Sequence, residues 1–166
     1  MPVCWKARAV LPKRDAQALS DALDREGAKR DISESVAYLR ERAGRGNSSH
    51  AVIGFSLGAF FALDLSVANP NVVRSVVLFY GTRPGDYDGS KAEYLGHFAE
   101  ADEFEPQADV DRLEAALRNA GCRVTFHRYP GTRHWFFEPD RIDAFNPAAA
   151  VLAWERTLAF LRARAE

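Results

Sequence analysis

The segment Gly54 to Gly58, with the sequence GFSLG, contains a serine between two glycines in the pattern G-x-S-x-G. An apolar strand-like run ends at Phe55 and an apolar helical segment starts at Leu57. This pattern is typical of a nucleophile elbow, where a sharp strand-to-helix turn exposes the serine oxygen and places the next backbone N–H beside it. We therefore predict Ser56 as a nucleophile and Leu57 N–H as an oxyanion donor. A plain tight turn capped by a serine is the alternative interpretation.

A serine hydroxyl is a weak nucleophile at neutral pH, so it needs a base that is itself oriented by an acid. Of the four histidines, His50 precedes the serine, and His97 and His127 fall inside strand-like runs where a structural role is expected. His134 follows a strand late in the chain, in the segment YPGTRHWFF. We predict His134 as the base.

The acid should follow a strand that lies between the serine and the histidine in the chain. Asp102 fits this position, after the run at 93–99. Alternatives remain, since the same loop carries further carboxylates that suit a solvated acidic loop, and an earlier loop carries two weaker candidates. These alternatives are Glu100, Glu103 and Glu105, and Asp86 and Asp88.

Aromatic side chains are concentrated around the predicted triad. We expect Phe55, Tyr80, Trp135 and Phe136, with Phe137 nearby, to line an apolar substrate pocket. The same residues would also suit a hydrophobic core, so the substrate class stays open.

Apolar runs and helical periods alternate along the chain, which indicates βαβ units around a parallel sheet. We predict one α/β domain over residues 1–166, doubly wound, with helices on both faces of a mostly parallel sheet. The predicted strands are 5–11, 50–55, 72–80, 93–99 and 122–129, and the predicted helices are 31–43, 57–68, 107–119 and one that begins after Asn146.

Two helices carry more specific predictions. Asp31 and Glu34 resemble a capping box, with Ile32, Val36, Leu39 and Ala43 as the buried face. Residues 15–28 are ambiguous between a weak helix and a loop. Asn146 and Pro147 should start the last helix, whose buried face is predicted to be Val151, Trp154, Leu158 and Leu161.

Charge, hydropathy and cysteine content limit the kinds of binding partner and cofactor that we expect. The formal charge of −1 gives no basic surface for nucleic acid or an anionic membrane, and the sequence has no apolar run of about 20 residues that would span a bilayer. Two cysteines form neither a disulfide framework nor a spaced metal set. We expect a cytoplasmic protein that binds a small ester substrate and needs no metal or other cofactor.

These motifs, taken in order, resemble the dienelactone hydrolase family of α/β-hydrolases. The resemblance rests on the elbow at 54–58, the strand end at 79–81, the segment LGHFAEAD at 95–102, the block at 129–137 and the closing helix. It implies that Ser56, Asp102 and His134 occupy the triad positions. The implied activity is hydrolysis of carboxylic ester or lactone bonds through an acyl-enzyme.

The departures from the family pattern carry predictions of their own. The family nucleophile is cysteine, and an arginine shortly after the histidine binds a carboxylated substrate, whereas here Ser56 replaces the cysteine and Glu138 follows an aromatic run. The resemblance also implies that the first strands, and the loop carrying a second oxyanion donor, are missing. We therefore expect a homodimer or another polypeptide across the open sheet edge. The alternative function is a catalytically weak relative that acts as a binding or assembly module.

Overall fold

The computed structural model describes residues 18–43 and 49–164, so the predicted strand at 5–11 lies outside the described residues. Helices and strands alternate along the chain except after the second strand, which is followed by the third strand through a loop, as the hydrophobic pattern predicts. In chain order they are α1 (Arg25–Ala43), β1 (His50–Phe55), α2 (Leu57–Ala68), β2 (Val73–Phe79), β3 (Glu93–Ala99), α3 (Gln107–Asn119), β4 (Val124–Tyr129) and α4 (Pro147–Arg162).

The four described strands form one parallel sheet in the order β1-β2-β3-β4. Phe55 pairs with Phe79, and Phe79 in turn pairs with His97, so the strands end near the same level. Because the strands are parallel, their carboxyl ends share one rim of the sheet, where ligands bind in open α/β folds. The α/β class predicted from the sequence is confirmed.

Helices cover both faces of the sheet, and β2 shows this most clearly. Val76 and Leu78 contact the core beneath α2 and α3, whereas Val77 and Phe79 contact the core beneath α4. All four side chains are fully buried. The apolar run of β2 is continuous because the strand is buried on both faces, as the sequence predicts.

The first helix begins earlier than predicted. It starts at Arg25 rather than Asp31, because Asp24 caps it by accepting a 2.9 Å hydrogen bond from Gly27 N–H. Within the ambiguous stretch at 15–28, a short helical turn at 18–21 precedes this cap. On the predicted apolar face, Ile32 and Val36 pack against the core, but Leu39 is 53% exposed.

The last helix starts as predicted but buries a different face. The side chain of Asn146 accepts a hydrogen bond from Ala149 N–H at 3.1 Å. Val151 and Trp154 are 59% and 41% exposed, so the predicted buried face is wrong for these two residues, whereas Leu161 is partly buried and packs against the core. The buried residues are Ala149, Ala150, Ala153 and Thr157. Their small side chains let the helix backbone lie close to the sheet, which the larger residues would prevent.

His97 is a buried polar residue between β3, β4 and α4, and its role is structural, as predicted. Its Nδ1 lies 2.7 Å from Tyr129 Oη, and its Nε2 lies 3.0 Å from Thr157 Oγ1. Burial is the main cause that lowers its pKa to about 3, with the positive charges of His127 and Arg156 adding to the effect. His97 is therefore neutral in the folded protein at ordinary pH.

Candidate active site

Ser56 is the single residue between the end of β1 and the start of α2. Its backbone adopts φ 49° and ψ −119°, a conformation that side-chain-bearing residues rarely occupy. Its N–H donates to Phe79 O at 2.9 Å, and its carbonyl oxygen accepts from Ala59 N–H at 2.8 Å. The turn is thus held by both neighbouring elements. A strained backbone held in this way is common where a side chain must be presented for function.

Close packing at the turn depends on two glycines. A Cβ on Gly54 would lie 2.4 Å from Gly58 O, and a Cβ on Gly81 would lie 2.4 Å from Ser56 O. Gly81, at the end of β2, was not singled out from the sequence as part of the elbow. By contrast, a Cβ on Gly58 would meet no atom within 4 Å among the described residues. Within the part of the chain described, the close packing at the turn therefore requires glycine at position 54 but not at position 58.

The structure brings the three predicted triad side chains into one hydrogen-bonded row. His134 Nε2 lies 2.9 Å from Ser56 Oγ, and His134 Nδ1 lies 2.8 Å and 2.9 Å from the two Asp102 oxygens. The side chains of His134 and Asp102 are only 3% and 2% exposed. An ionised carboxylate accepts only, so Nδ1 carries the proton and Nε2 presents its lone pair to the serine.

The Asp102 carboxylate is fixed by its own loop. Its Oδ1 accepts hydrogen bonds from the backbone N–H groups of Phe104 at 2.9 Å and Glu105 at 3.0 Å. These two hydrogen bonds set the orientation of the Asp102 carboxylate toward His134. Asp102, unlike the rival acids of the sequence, contacts the imidazole through both oxygens.

Three of the five rival acids form hydrogen bonds with other residues. Asp86 accepts from Asp88 N–H at 2.9 Å in the loop after β2. Glu100 accepts from Gly131 N–H at 2.8 Å, and Glu105 accepts from the Thr82 hydroxyl at 2.6 Å. Burial raises the pKa of Glu105 above its usual value, while the Thr82 hydrogen bonds oppose that shift.

Three aromatic rings surround the His134 imidazole. The centroids of Tyr80, Phe104 and Trp135 lie 4.8, 4.9 and 4.7 Å from that of His134. Trp135 has φ 66°, and the guanidinium of Arg141 lies 3.6 Å from its ring centroid. Phe104 was missed in the sequence, although its position two residues after the acid could have indicated it.

The predicted substrate-binding residues divide into two groups. Phe55 is 36% exposed and stacks on Phe79 at 4.5 Å, and Trp135 is half-buried, so both reach the surface. Tyr80 and Phe136 are fully buried in the core beneath α4. The prediction that these two line an open pocket is corrected: they support the site from within.

Tyr80 has a defined partner inside that core. Its hydroxyl donates to Glu138 Oε1 at 2.7 Å. Burial, followed by the hydrogen bond and charge of Glu138, raises the pKa of Tyr80 far above its ordinary value. The hydroxyl therefore stays protonated and acts as a donor across the whole working range of pH.

A polar cavity of about 270 Å³ opens on one side of His134. Its walls carry charges of both signs beside the imidazole and the Trp135 ring, and they consist of Ala101, Glu103, Arg133, His134, Trp135, Asp143 and Ala144. On the serine side, Leu57 N–H is the first of α2. The first N–H groups of a helix have no partner within the helix and carry partial positive charge.

Within residues 18–43 and 49–164, no group of three or more His, Cys, Asp and Glu side chains is arranged to hold a metal ion. In the same part of the chain, every helix is too short or too polar to cross a bilayer.

An α/β sheet with a serine elbow and a hydrogen-bonded Ser-His-Asp row defines an α/β-hydrolase-type protein. The sequence profile of the dienelactone hydrolase family matches residues 7–165. The chain therefore belongs to the dienelactone hydrolase family, a family of hydrolases.

The curated relatives are longer than this chain. Protein usf of Aquifex pyrophilus is 28% identical over 131 residues, which cover 77% of this chain and 57% of that protein. A carboxymethylenebutenolidase of Rhodococcus opacus is 29% identical over 168 residues, which cover 92% of this chain and 64% of that protein. The chain thus spans less than two thirds of the length of these two relatives.

Solved structures share the fold at lower identity. A dienelactone hydrolase-like promiscuous phosphotriesterase from metagenomic libraries superimposes with a TM-score of 0.75 at 16% identity, over 89% of this chain and 64% of that one. An α/β-hydrolase enzyme from a deep-sea metagenome library gives a TM-score of 0.69 at 19% identity, over 94% of this chain and 66% of that one. At these identities the likeness concerns the fold alone.

Proposed function

We propose that this protein is a serine hydrolase that cleaves carboxylic ester or lactone bonds, with Ser56 as nucleophile, His134 as base and Asp102 as orienting acid. The observation that carries the proposal is the row of hydrogen bonds from Ser56 Oγ through His134 to Asp102, at 2.8–2.9 Å. Distances in this range allow direct proton transfer between the serine and the imidazole.

The first half of the reaction forms an acyl-enzyme. Ser56 Oγ attacks the carbonyl carbon of the ester while His134 Nε2 takes the hydroxyl proton. The carbonyl oxygen gains negative charge, which Leu57 N–H stabilises at the N-terminus of α2. When the tetrahedral intermediate collapses, His134 gives the proton to the leaving alkoxide, and an alcohol departs.

The second half releases the acid. His134 removes a proton from water, the resulting hydroxide attacks the acyl carbon, and Ser56 Oγ leaves with the proton that His134 returns. Asp102 holds Nδ1–H throughout and stabilises the imidazolium that forms in each half. Its two backbone donors keep the carboxylate aligned during both steps.

Acidic groups around the triad favour an uncharged substrate. Two acidic side chains, Glu103 and Asp143, line the cavity beside His134 against one basic side chain, Arg133. Glu138 stands four residues after His134, in the stretch where the family resemblance implies an arginine. Negative charge at both places disfavours a carboxylated lactone such as the family's own substrate. We therefore propose that neutral esters are cleaved faster than esters with a carboxylate next to the scissile bond.

The test is hydrolysis of a short p-nitrophenyl ester by the purified chain beside its Ser56→Ala variant, with fluorophosphonate labelling of both. Turnover and labelling that both depend on the serine would support the hydrolase. Equal rates for parent and variant, with no labelling, would refute it for this chain. In that case a weak or inactive relative that serves as a binding or assembly module becomes the better account.

A further inference from the structure

Tyr80 occupies a strained position at the end of β2. It has φ 35°, an unfavourable value for an aromatic residue, although its N–H donates a regular 2.8 Å bond to His97 O. The whole residue is buried. Strain of this kind persists only where the surroundings hold the residue in place, and it is concentrated near functional sites.

The side chain of Tyr80 joins two segments that the backbone does not connect directly. Its ring lies 4.8 Å from the imidazole of His134, and its hydroxyl donates to Glu138 at 2.7 Å. Glu138 lies at the end of a compact turn in which its N–H donates to Trp135 O at 3.0 Å. The hydrogen bond therefore ties the turn that carries His134 to the strand that ends beside Ser56.

We propose that the Tyr80–Glu138 hydrogen bond positions the His134 imidazole, with Tyr80 and Glu138 as positioning residues for Ser56 activation. Its catalytic consequence rests on the function proposed above. Substituting phenylalanine would keep the ring contact with His134 but leave the partly buried Glu138 carboxylate without this donor. A buried hydrogen bond to a charged acceptor is stronger than a neutral one, and losing one partner is costly.

Three carboxylates act on the Tyr80 hydroxyl. Glu138 accepts its hydrogen bond, and Asp140 and Asp102 act on it from the same turn and from the loop after β3. These groups therefore favour the protonated Tyr80 side chain, whose hydroxyl donates its hydrogen bond to Glu138. The arrangement is suited to fixing a geometry and unsuited to transferring the Tyr80 proton.

The experiment compares three variants with the parent chain. Tyr80→Phe removes the hydroxyl, Glu138→Leu removes the acceptor, and Glu138→Gln keeps an oxygen that can accept. We expect Tyr80→Phe and Glu138→Leu each to lower kcat and the fluorophosphonate labelling rate about tenfold, with KM within about twofold. Glu138→Gln should lose about threefold or less, and the Tyr80→Phe/Glu138→Leu double variant should be no slower than either single one.

Tyr94→Phe is the matched control. Tyr94 is also fully buried in the sheet, and its hydroxyl bonds to Ser66 at 2.7 Å and Ser90 at 2.6 Å at the amino end of β3. Its loss should lower the free energy of unfolding without changing the rate per active site. Rates are therefore expressed per titrated site, so that a smaller folded fraction does not imitate lost positioning.

Nuclear magnetic resonance of ¹⁵N-labelled histidine provides a readout that needs no turnover. The parent should show His134 as one tautomer with the proton on Nδ1, and Tyr80→Phe should broaden or split these signals. If the parent neither turns over nor labels while the signals respond, the proposed function fails and the positioning inference stands. If Tyr80→Phe matches the parent in both rate and His134 signals, the positioning inference is overturned.

Discussion

Acidification should destabilise this fold through His97, because its buried hydrogen bonds need the neutral imidazole. The Thr157 hydroxyl donates to Ala153 O at 2.9 Å, so its oxygen accepts from His97 Nε2–H. Nδ1 is then left to accept from the Tyr129 hydroxyl. A proton added to Nδ1 would face a donor, and the resulting charge would be buried.

The size of the effect follows from the two pKa values. The pKa of His97 is about 3 in the folded chain, against 6.5 for an ordinary histidine, so the unfolded chain binds the proton first. Stability is therefore unaffected well above pH 6.5 and is lost as the pH falls from about 6.5 toward about 3. Between about pH 7 and about pH 4.5 this group alone should lower the free energy of unfolding by about 2 to 3 kcal/mol.

Urea unfolding at several pH values, followed by circular dichroism, measures this loss. In His97→Gln the loss between the two pH values should be smaller by about 2 to 3 kcal/mol, whatever the stability of the variant at neutral pH. His127→Gln is the control, since His127 is a neighbour in the sheet that is only partly buried. Parallel losses in the parent and His97→Gln would refute the reasoning. If His97→Gln does not fold, ring titration in the parent must show His97 still neutral near pH 4.5.

Three further outcomes are expected. Asp102→Asn should lower kcat by about 10⁴-fold with the fold intact, because asparagine no longer holds the His134 imidazole in the required tautomer. A loss below about tenfold in stopped-flow acylation would contradict the proposed triad. Gly81→Ala should destabilise the chain and abolish labelling, because its Cβ would lie 2.4 Å from Ser56 O. Gly58→Ala is the control and should cost no stability. Equal melting temperatures of the two variants would contradict this prediction. Light scattering should find a dimer or larger assembly, because Ile53 and Phe55 on β1 are each 36% exposed; a clean monomer at high protein concentration would count against it.

The parts of the fold that follow from local pattern were predictable. The run at 93–99 is strand β3 with the same bounds, and the helix at 107–119 is α3, because strongly patterned segments leave few alternatives. The elbow was predictable for a related reason. A serine between a buried strand and an apolar helix, with Gly54 before it, restricts the turn to very few geometries.

Predictions that required choosing between similar residues for one structural role were less successful. Asp24 and Asp31 both suit a helix cap, and only the hydrogen bond to Gly27 distinguishes them. On α4, the larger residues suggested the buried face, but the sheet accepts the small side chains of Ala150 and Ala153 instead. Close approach between a helix and a sheet is a property of both surfaces, so the sequence of one helix does not reveal it.

In the candidate active site, too, some features could be predicted from the sequence and others could not. The three residues of the proposed triad follow from residue type and chain order, whereas their supporting contacts do not. Glu138 reaches Tyr80 across 58 positions of sequence, and Gly81, in the loop after β2, lies close enough to Ser56 that a Cβ would clash with it. Contacts of this kind depend on how distant segments meet in space. Tyr80 itself was placed near the site correctly, yet as a wall of the pocket rather than as buried support.

The parallel sheet gives the molecule a second rim, where the strands begin, far from Ser56. Turns at 69–72 and 120–123 lie there, closed by their own backbone hydrogen bonds, including Val72 N–H to Asn69 O at 3.0 Å and Gly121 N–H to Arg118 O at 3.0 Å. Chain inserted into such turns lengthens a surface loop and leaves the elements on either side in place. An affinity tag, a fluorescent domain or a surface anchor grafted at 69–72 would therefore report on or immobilise this protein while its reactive rim stays open to solvent.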